Sequence, residues 1–203
     1  SVPSKRTLME FFWKKGYAVY HMRYRGTWES RGVFLKQSPD RDVIDVIDDL
    51  PNNLEKIILV GSSFGGPAVI LASRDRRVSK AIAVSPVVSW NAKTHGPREI
   101  MREFKRSLRG DFGSVYRGAK TNLRKLRDPF YAPVSHQDSI EGSKMLIIQA
   151  KDDDSVRWWP VQKFAKQTGA HLVLLKKGGH LSSSIIMKPA IWKKVRKFVI
   201  MKT

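Results

Sequence analysis

The stretch that most constrains this chain lies at residues 61–66, which read GSSFGG and directly follow the apolar run at residues 57–60. A second apolar segment, residues 67–72, comes after it. A β-branched run, a turn of the form G-x-S-x-G and a helix-forming segment together predict a strand, a sharp turn and a helix. Such a turn holds Ser63 in a strained backbone conformation and presents its hydroxyl at the carboxyl edge of a sheet. Ser63 is therefore a candidate nucleophile.

The neighbours of Ser63 have predicted roles of their own. Strand and helix approach each other closely at such a turn, so we expect no space for side chains two residues before and after Ser63, at Gly61 and Gly65. The N–H of Phe64 lies at the predicted start of the helix, where it can donate to a developing oxyanion. We therefore predict Phe64 as one oxyanion-binding residue.

The length and composition fit one domain. At 203 residues, of which 41% are hydrophobic, the chain can bury a core of its own. It has no cysteine, which excludes disulfides, a cysteine nucleophile and thiolate metal sites, and which fits an intracellular protein. No apolar run approaches the roughly 18 residues of a membrane span, and no signal peptide opens the sequence. We expect a cytoplasmic protein without a membrane span.

The charge of the chain is strongly positive. Lys and Arg number 38 against 18 Asp and Glu, which gives a formal net charge of +20. Residues 176–203 contain no acid and eight basic residues: Lys176, Lys177, Lys188, Lys193, Lys194, Arg196, Lys197 and Lys202. Such a charge attracts nucleic acid, anionic membrane surfaces or acidic substrates without implying a fold. The alternative is a solvated basic surface that serves solubility.

The rest of the sequence alternates between the periodicities of strands and helices. The pattern predicts strands at residues 17–24, 56–60, 80–84, 144–150 and 171–175. It predicts helices at residues 7–15, 41–50, 67–73, 158–168 and 189–201. This alternation is typical of an α/β fold with a parallel sheet flanked by helices.

Residues 89–143 break the alternation. The segment is basic, lacks strand signals and keeps a helical spacing of apolar residues at Ile100, Met101, Phe104 and Leu108. It is too long for an ordinary loop, and long insertions in compact domains are usually functional or disordered. We predict a small helical cap over the active-site edge, inserted in a single domain that spans residues 1–203.

A serine nucleophile needs a base that takes its proton, and the base needs a carboxylate that holds its tautomer. Both partners must lie at the same carboxyl edge as Ser63. His21 is predicted within one strand and His171 at the amino end of another. His95 and His136 are predicted in or beside the insertion. His180 instead follows the last predicted strand, after two glycines. We predict His180 as the base.

The carboxylate is expected after the strand at residues 144–150, where Asp152, Asp153 and Asp154 follow one another. Position alone leaves Asp152 and Asp153 open, and any of the three can instead belong to a solvated turn or cap a helix. With either residue, the order along the chain is serine, aspartate, histidine, each at the end of a predicted strand. Three such matches are far less expected by chance than one.

Four stretches together carry a resemblance to a known family: residues 24–26 with Ser30 and Gly32, the turn at residues 61–66, residues 128–150, and the GGH sequence at residues 178–180. The chain resembles the α/β-hydrolases, and in detail the branch with prolyl-oligopeptidase-like (acylaminoacyl-peptidase) catalytic domains and dienelactone-hydrolase-like esterases. In that branch the acid stands three residues before a valine, so Val156 selects Asp153. The resemblance implies an α/β-hydrolase fold, a triad of Ser63, Asp153 and His180, and no metal or organic cofactor.

The chain departs from that branch at its start. There, a loop after the third strand supplies the second oxyanion N–H, and this sequence begins where that loop should end. Ser1 or Val2 is the expected remnant, and we take Ser1 as the second candidate oxyanion residue. The third strand itself is missing, so we expect N-terminal strands to be absent. Five strands wound in one right-handed sense would leave one sheet face bare, unless a partner or a second copy covers it.

These features predict a serine hydrolase that cleaves a small-molecule ester or a peptide by acyl transfer. The choice between ester, thioester and amide stays open, because the substrate pocket depends on the insertion. The alternative is a catalytically silent protein of the same fold that binds nucleic acid or acidic partners through its basic surface.

Overall fold

The helices and strands are seen in a computed structural model that describes residues 6–91, 116–118 and 122–201. The α-helices are α1 (Arg6–Trp13), α2 (Pro39–Asp48), α3 (Gly65–Ala72), α4 (Trp158–Thr168) and α5 (Pro189–Ile200). The strands are β1 (Ile57–Ser62), β2 (Val78–Val84), β3 (Met145–Ala150) and β4 (His171–Leu175). Short 3-10 helices lie at Leu123–Lys125, Pro133–Ser139, Gly142–Lys144 and Ser183–Met187. No helix in these ranges is both long and apolar enough to cross a membrane.

The four strands form one parallel sheet in the order β1, β2, β3, β4. Near their carboxyl ends the strands are level with one another, since Val84 of β2 pairs with Ser62 of β1 and with Ile148 of β3. Ile148 in turn pairs with Val173 of β4. The residues that follow each strand therefore share one edge of the sheet, where open α/β sheets bind their ligands.

The first face of the sheet is covered by α2, α3 and α4. Their buried side chains include Val43, Ile47, Val69, Val161 and Phe164, which pack with Val78, Ala83, Met145 and Ile147 of the sheet. Two of these helices, α3 and α4, connect successive parallel strands. Right-handed crossovers in one direction place such helices on one face, as expected.

The second face is covered as well, so the prediction of a bare face is wrong. Helix α5 and the 3-10 helix Ser183–Met187 place Ile186, Val195 and Phe198 against the sheet, and Phe12 of α1 packs at the border of this cluster. The prediction failed because it considered crossover helices only. Helix α5 follows the last strand, so no later strand fixes the face on which it packs.

The strand predicted at residues 17–24 does not form in the described structure, and His21 is therefore not a strand residue. Strand β1 is an edge of the four-stranded sheet and pairs with β2 alone. A strand is stabilised by hydrogen bonds to a neighbouring strand, and among the described strands none pairs with residues 17–24. The other four strands and all five helices are confirmed, with ends that differ by at most two residues.

About half of the predicted cap, residues 92–115 and 119–121, lies outside the described residues, including its four spaced apolar residues. Its described parts contact the loop that precedes α2: the Arg117 N–H donates to the Gly26 carbonyl at 2.8 Å, and the Arg117 carbonyl accepts the Phe34 N–H at 2.7 Å. Closer to β2, the Asp128 carboxylate accepts the Trp90 N–H at 2.7 Å. The helical cap itself stays a prediction.

Candidate active site

The turn between β1 and α3 holds Ser63 in the left-handed backbone region, with a φ of 51°. The Ser63 N–H donates to the Val84 carbonyl at 2.9 Å, and the Ser63 carbonyl accepts the Gly66 N–H at 3.0 Å. A non-glycine residue in this region carries a cost of order 1–3 kcal/mol and persists where its surroundings hold it. Here the neighbouring strand and the first turn of α3 both hold the serine.

Two glycines make the close approach at this turn possible. A Cβ on Gly61 would overlap the Gly65 carbonyl oxygen and lie 2.8 Å from its carbon. A Cβ on Gly66 would lie 2.5 Å from Pro86 Cβ and 2.7 Å from Pro86 Cα. A Cβ on Gly65 would be 3.4 Å from its nearest neighbour, the Tyr24 hydroxyl. The expectation was therefore right for Gly61, but the second crowded position is Gly66 rather than Gly65.

The side chain of Asp153 is fully buried at the end of β3. Its Oδ1 accepts the Val156 N–H at 2.8 Å and the Ser155 N–H at 3.0 Å, while Oδ2 accepts the Gln149 side-chain amide at 3.0 Å. Burial acts to raise the pKa of the Asp153 carboxyl, but the hydrogen bonds from His180 and Val156 outweigh it, so the pKa lies below its ordinary value. The group is held in one orientation as a carboxylate.

Asp152, the other candidate acid, contacts backbone instead. Its carboxylate accepts the N–H groups of Gly179 at 2.9 Å and Gly178 at 3.1 Å. These two hydrogen bonds lower the pKa of the Asp152 carboxyl. Gly179 has a φ of 61°, which a side chain would disfavour. Asp152 therefore shapes the loop that carries His180, while Asp153 contacts the imidazole itself.

His180 lies between Asp153 and Ser63. Its Nδ1 is 3.0 Å from Asp153 Oδ2 and 3.1 Å from Oδ1, and its Nε2 is 2.9 Å from Ser63 Oγ. The His180 side chain is 30% exposed, so one edge of this hydrogen-bonded row is open to solvent. Among the other histidines, His171 begins β4 at the opposite edge of the sheet, and His95 lies outside the described residues.

Two polar residues behind this row did not figure in the sequence analysis. Ser85 is fully buried with a φ of 45°, and its Oγ accepts the N–H of Leu181 at 3.1 Å. Gln149, also fully buried, donates to Asp153 and to the Val156 carbonyl, the latter at 3.0 Å. Both carried a signal: Ser85 directly follows a predicted strand, and Gln149 is polar within an otherwise apolar one.

Aromatic side chains surround Phe64, the residue after the candidate nucleophile. Its ring lies 5.2 Å from the ring of Tyr131 and 5.7 Å from those of Tyr24 and Phe34, measured between centroids. The Tyr131 hydroxyl donates to the Phe64 carbonyl at 2.7 Å. Burial raises the pKa of Tyr131 well above its ordinary value, which keeps this phenol neutral. The residue after Ser63 is therefore packed in an aromatic cluster of the core.

The second predicted oxyanion residue, Ser1, lies outside the described residues. Within the described ranges, no group of three or more His, Asp or Glu side chains is arranged to hold a metal ion. The groups that the site brings together are a hydroxyl, an imidazole and a buried carboxylate, which is a set suited to proton transfer and nucleophilic attack.

A family model described as "Alpha/beta hydrolase family" matches residues 6–190. The chain belongs to this α/β-hydrolase family. No curated protein sequence matches this α/β-hydrolase. Ser63 after β1, Asp153 after β3 and His180 after β4 lie along the chain in the order serine, aspartate, histidine.

Several solved structures are similar to this α/β-hydrolase. An esterase of Pyrococcus furiosus is 20% identical, with a TM-score of 0.68 over 96% of this chain and 73% of that protein. An α/β-hydrolase enzyme from a Medee basin deep-sea metagenome library is 14% identical, with a TM-score of 0.70 over 100% and 86%. A monoacylglycerol lipase of Paleococcus ferrophilus is 19% identical, with a TM-score of 0.55 over 96% and 86%. Identities this low show the shared fold.

Proposed function

We propose that this α/β-hydrolase is a serine hydrolase that cleaves carboxylic esters through a covalent acyl-enzyme. The observation that carries the proposal is the row of hydrogen bonds from Ser63 Oγ to His180 Nε2, at 2.9 Å, and from His180 Nδ1 to Asp153 Oδ2, at 3.0 Å. A weak nucleophile, a base and a group that orients the base are the three parts that acyl transfer requires.

In the acylation half of the reaction, Ser63 Oγ attacks the ester carbonyl carbon while His180 Nε2 takes the hydroxyl proton. The carbonyl π electrons move to oxygen and form a tetrahedral oxyanion. When the oxyanion collapses, the bond to the leaving oxygen breaks, and His180 gives its proton to the departing alcohol. Throughout the reaction, the Asp153 carboxylate accepts a hydrogen bond from the Nδ1–H of His180. It stabilises the imidazolium cation while that cation exists.

In the deacylation half, His180 takes a proton from a water molecule, which attacks the carbonyl carbon of the acyl group on Ser63. The second tetrahedral oxyanion collapses with cleavage of the bond to Ser63 Oγ, and His180 returns the proton to that oxygen. A carboxylic acid leaves and the free serine is restored. The net reaction consumes one ester and one water molecule.

The oxyanion needs donors that are already in place before the reaction. The Phe64 N–H follows the nucleophile at the start of α3, and the Tyr131 hydrogen bond fixes the carbonyl of the same residue at 2.7 Å. We assign the second donor to the Ser1 N–H. Each such donor contributes about 10²–10³-fold to kcat in acyl-transfer enzymes.

Two considerations support an ester rather than an amide. Two similar structures are described as an esterase and a monoacylglycerol lipase, both of which act on carboxylic esters. The aromatic cluster around Phe64 makes the surroundings of Ser63 largely apolar, which suits an uncharged acyl chain. Peptidase activity, as in the prolyl-oligopeptidase-like branch, and thioesterase activity are the competing possibilities within the same mechanism.

The first test is labelling with a fluorophosphonate probe, which reacts with activated serines. We expect labelling of the chain, and loss of labelling in Ser63→Ala and His180→Ala. Ser62→Ala is the matched control for the serine, and His136→Ala for the histidine; both should label as strongly as the unaltered chain. Absence of labelling would reject the serine-hydrolase proposal and favour a silent protein that binds polyanions.

The second test compares leaving groups. We expect release of p-nitrophenol from short-chain p-nitrophenyl esters, dependent on Ser63, and much slower release of p-nitroaniline from peptide anilides. Faster cleavage of the anilides would be compatible with Ser63 as the nucleophile, but it would show that the substrate is a peptide rather than an ester. Faster cleavage of thioesters than of matched oxygen esters would likewise replace it.

A further inference from the structure

The two sides of α5 differ sharply in character. Its inward side places Ile191, Val195, Phe198 and Val199 in the core. Its outward side carries four exposed basic residues: Lys193, Lys194, Arg196 and Lys197. None of the four forms an ion pair with an acid in the described part of the chain. No acidic residue follows Asp154 in the sequence, and the acid of α1, Glu10, forms an ion pair with Arg6 at 3.0 Å.

Apolar side chains accompany these charges. A groove of about 320 Å³ runs along the outward side of α5, bordered by Trp192, Lys193, Arg196, Lys197 and Ile200. At the end of the helix, Ile200 is 67% exposed and Met201 is 41% exposed. In the described ranges these two aliphatic side chains are left largely exposed beside basic residues, and exposure of apolar surface to water carries a free-energy cost.

Helix α1 continues the same surface. The Trp192 ring lies 5.1 Å from that of Phe11 and 6.0 Å from that of Phe12, between centroids, so the two helices are neighbours. Helix α1 ends at Trp13, which is 69% exposed, and the exposed Lys14 and Lys15 follow. Basic and apolar side chains are thus mixed on α5 and at the end of α1. We call the outward sides of α1 and α5 the basic helical face.

The basic helical face reaches the neighbourhood of the candidate active site. An open cavity of about 640 Å³ lies between the loop of His180 and the first turn of α5. Lys177 and Lys188 line it together with the apolar Ile185 and Ile191. The mixture of cationic and apolar side chains therefore extends from the end of α5 to the cavity beside His180.

We propose that the basic helical face docks this protein on an anionic phospholipid surface. Lysine and arginine near such a surface gain from its negative potential, and tryptophan and aliphatic side chains gain from burial at the level of the headgroups. A nucleic acid satisfies the charges equally well. It offers nothing to Ile200 and Met201, whereas a lipid surface accommodates both kinds of side chain. The proposal goes beyond the hydrolase proposal and does not depend on it.

The test is co-sedimentation of the full chain with vesicles of phosphatidylcholine alone and of phosphatidylcholine mixed with phosphatidylglycerol. We expect binding to the mixed vesicles that weakens as salt is added, and little binding to the neutral ones. Binding requires no turnover, so the outcome is separate from that of the labelling experiment.

The main variant is Lys193→Gln, Arg196→Gln and Lys197→Gln combined. Each basic residue near an anionic bilayer contributes about fivefold to the binding constant, so we expect a loss of about a hundredfold. The matched control removes the same charge from the opposite face of the sheet, by Arg157→Gln just before α4 and Lys163→Gln and Lys166→Gln within α4. All three control positions are exposed. The control should bind within a few-fold of the unaltered chain.

A second variant, Ile200→Ser with Met201→Ser, keeps every charge and tests the apolar contribution. We expect it to weaken binding to mixed vesicles several-fold while leaving binding to a double-stranded DNA oligonucleotide unchanged. Three results would overturn the proposal: no binding to the mixed vesicles, an equal loss in the α4 control, or no effect of the apolar variant together with tighter binding to the oligonucleotide. The last result would identify a nucleic-acid surface.

Discussion

At the scale of single residues, the adjacent carboxylates after β3 have different partners and therefore different expected effects. Asp153 is buried and contacts the His180 ring, whereas Asp152 binds the two glycine N–H groups of the loop that carries that ring. The first is placed to stabilise an imidazolium directly. The second acts through the shape of a loop, so its removal should displace His180 rather than change its charge environment.

The two aspartates provide a direct test of this division. We expect Asp153→Asn to lower kcat for a p-nitrophenyl ester about 10⁴-fold, because the amide favours the wrong tautomer of the imidazole. Asp152→Asn should lower it by less than about a hundredfold, the effect of a small displacement of a reacting group. Steady-state kinetics of both variants measure the difference. Equal losses would mean that the two carboxylates act as one unit.

Ser85 holds the backbone immediately after His180, through its bond to the Leu181 N–H at 3.1 Å. We expect Ser85→Ala to lower kcat about tenfold with KM unchanged, because about 1.4 kcal/mol of hydrogen bonding is lost from the support of the base. Ser73→Ala is the control: Ser73 is also buried, but it bonds the Ile70 carbonyl within α3. A similar kcat loss in both variants would point to general destabilisation.

Ser63, Asp153 and His180 could be singled out from the sequence because each lies within five residues of the carboxyl end of a strand, and those ends share one edge of a parallel sheet. The same rule applies to Ser85, yet a serine at a strand end has no distinctive sequence around it. Position in the sequence could not distinguish Asp152 from Asp153, because both residues follow the end of the same strand. The partners of their carboxylates depend on how the loops at residues 153–156 and 178–180 fold back, and the contacts there are tertiary.

At the scale of elements, the turn from β1 into α3 and the packing of α5 contain the main differences from the sequence prediction. Gly66 rather than Gly65 is crowded, because Pro86, two residues after the end of β2, packs against the start of α3 at Gly66. Periodicity identified α5 and its apolar side, but it could not tell which sheet face that side would cover. The strand at residues 17–24 had a suitable pattern and no neighbouring strand, and a pattern alone cannot supply one.

Gly65 and Gly66 form a matched pair in the first turn of α3. We expect Gly66→Ala to lower the free energy of unfolding by about 1–3 kcal/mol, because the added methyl overlaps Pro86. Gly65→Ala should be neutral or slightly stabilising, since its methyl meets only the Tyr24 hydroxyl at 3.4 Å and alanine favours a helix. Urea unfolding of both variants gives the comparison. Destabilisation by Gly65→Ala as large as by Gly66→Ala would contradict this account of the turn.

At the scale of the whole molecule, the net charge of +20 makes the chain sensitive to acid. Protonation of its acids adds to a charge that already repels itself. Asp75 and Asp153 have lowered pKa values in the folded state, so at neutral pH their carboxylates stabilise the fold against this repulsion. A group of this kind stabilises the folded state above its unfolded pKa, and the contribution is lost as the pH falls through its folded pKa.

Asp75 gives the clearest expectation. The hydrogen bond from the Arg77 guanidinium lowers the pKa of Asp75 from 3.8 to about 2. Stability should therefore fall between about pH 5 and the folded pKa, as the unfolded chain takes up the proton first. Asp75→Asn should reduce this fall by about 1 kcal/mol, a value limited by solvent screening of the pair. Urea midpoints of both chains across that pH range test it, and parallel curves would exclude Asp75 as the source.

The backbone hydrogen bond from Ser63 to Val84 and the hydrogen bond from Leu181 to Ser85 attach Ser63 and the loop of His180 to two adjacent residues at the end of β2. Neither bond involves residues 86–144, the rest of the chain before β3, although Tyr131 of that segment donates to the Phe64 carbonyl. We therefore expect exchanges in that segment that keep Pro86 and Tyr131 to leave the spacing of Ser63 and His180 unchanged. For directed evolution, the segment away from these two residues is the place to diversify, and the end of β2 is the place to leave unaltered.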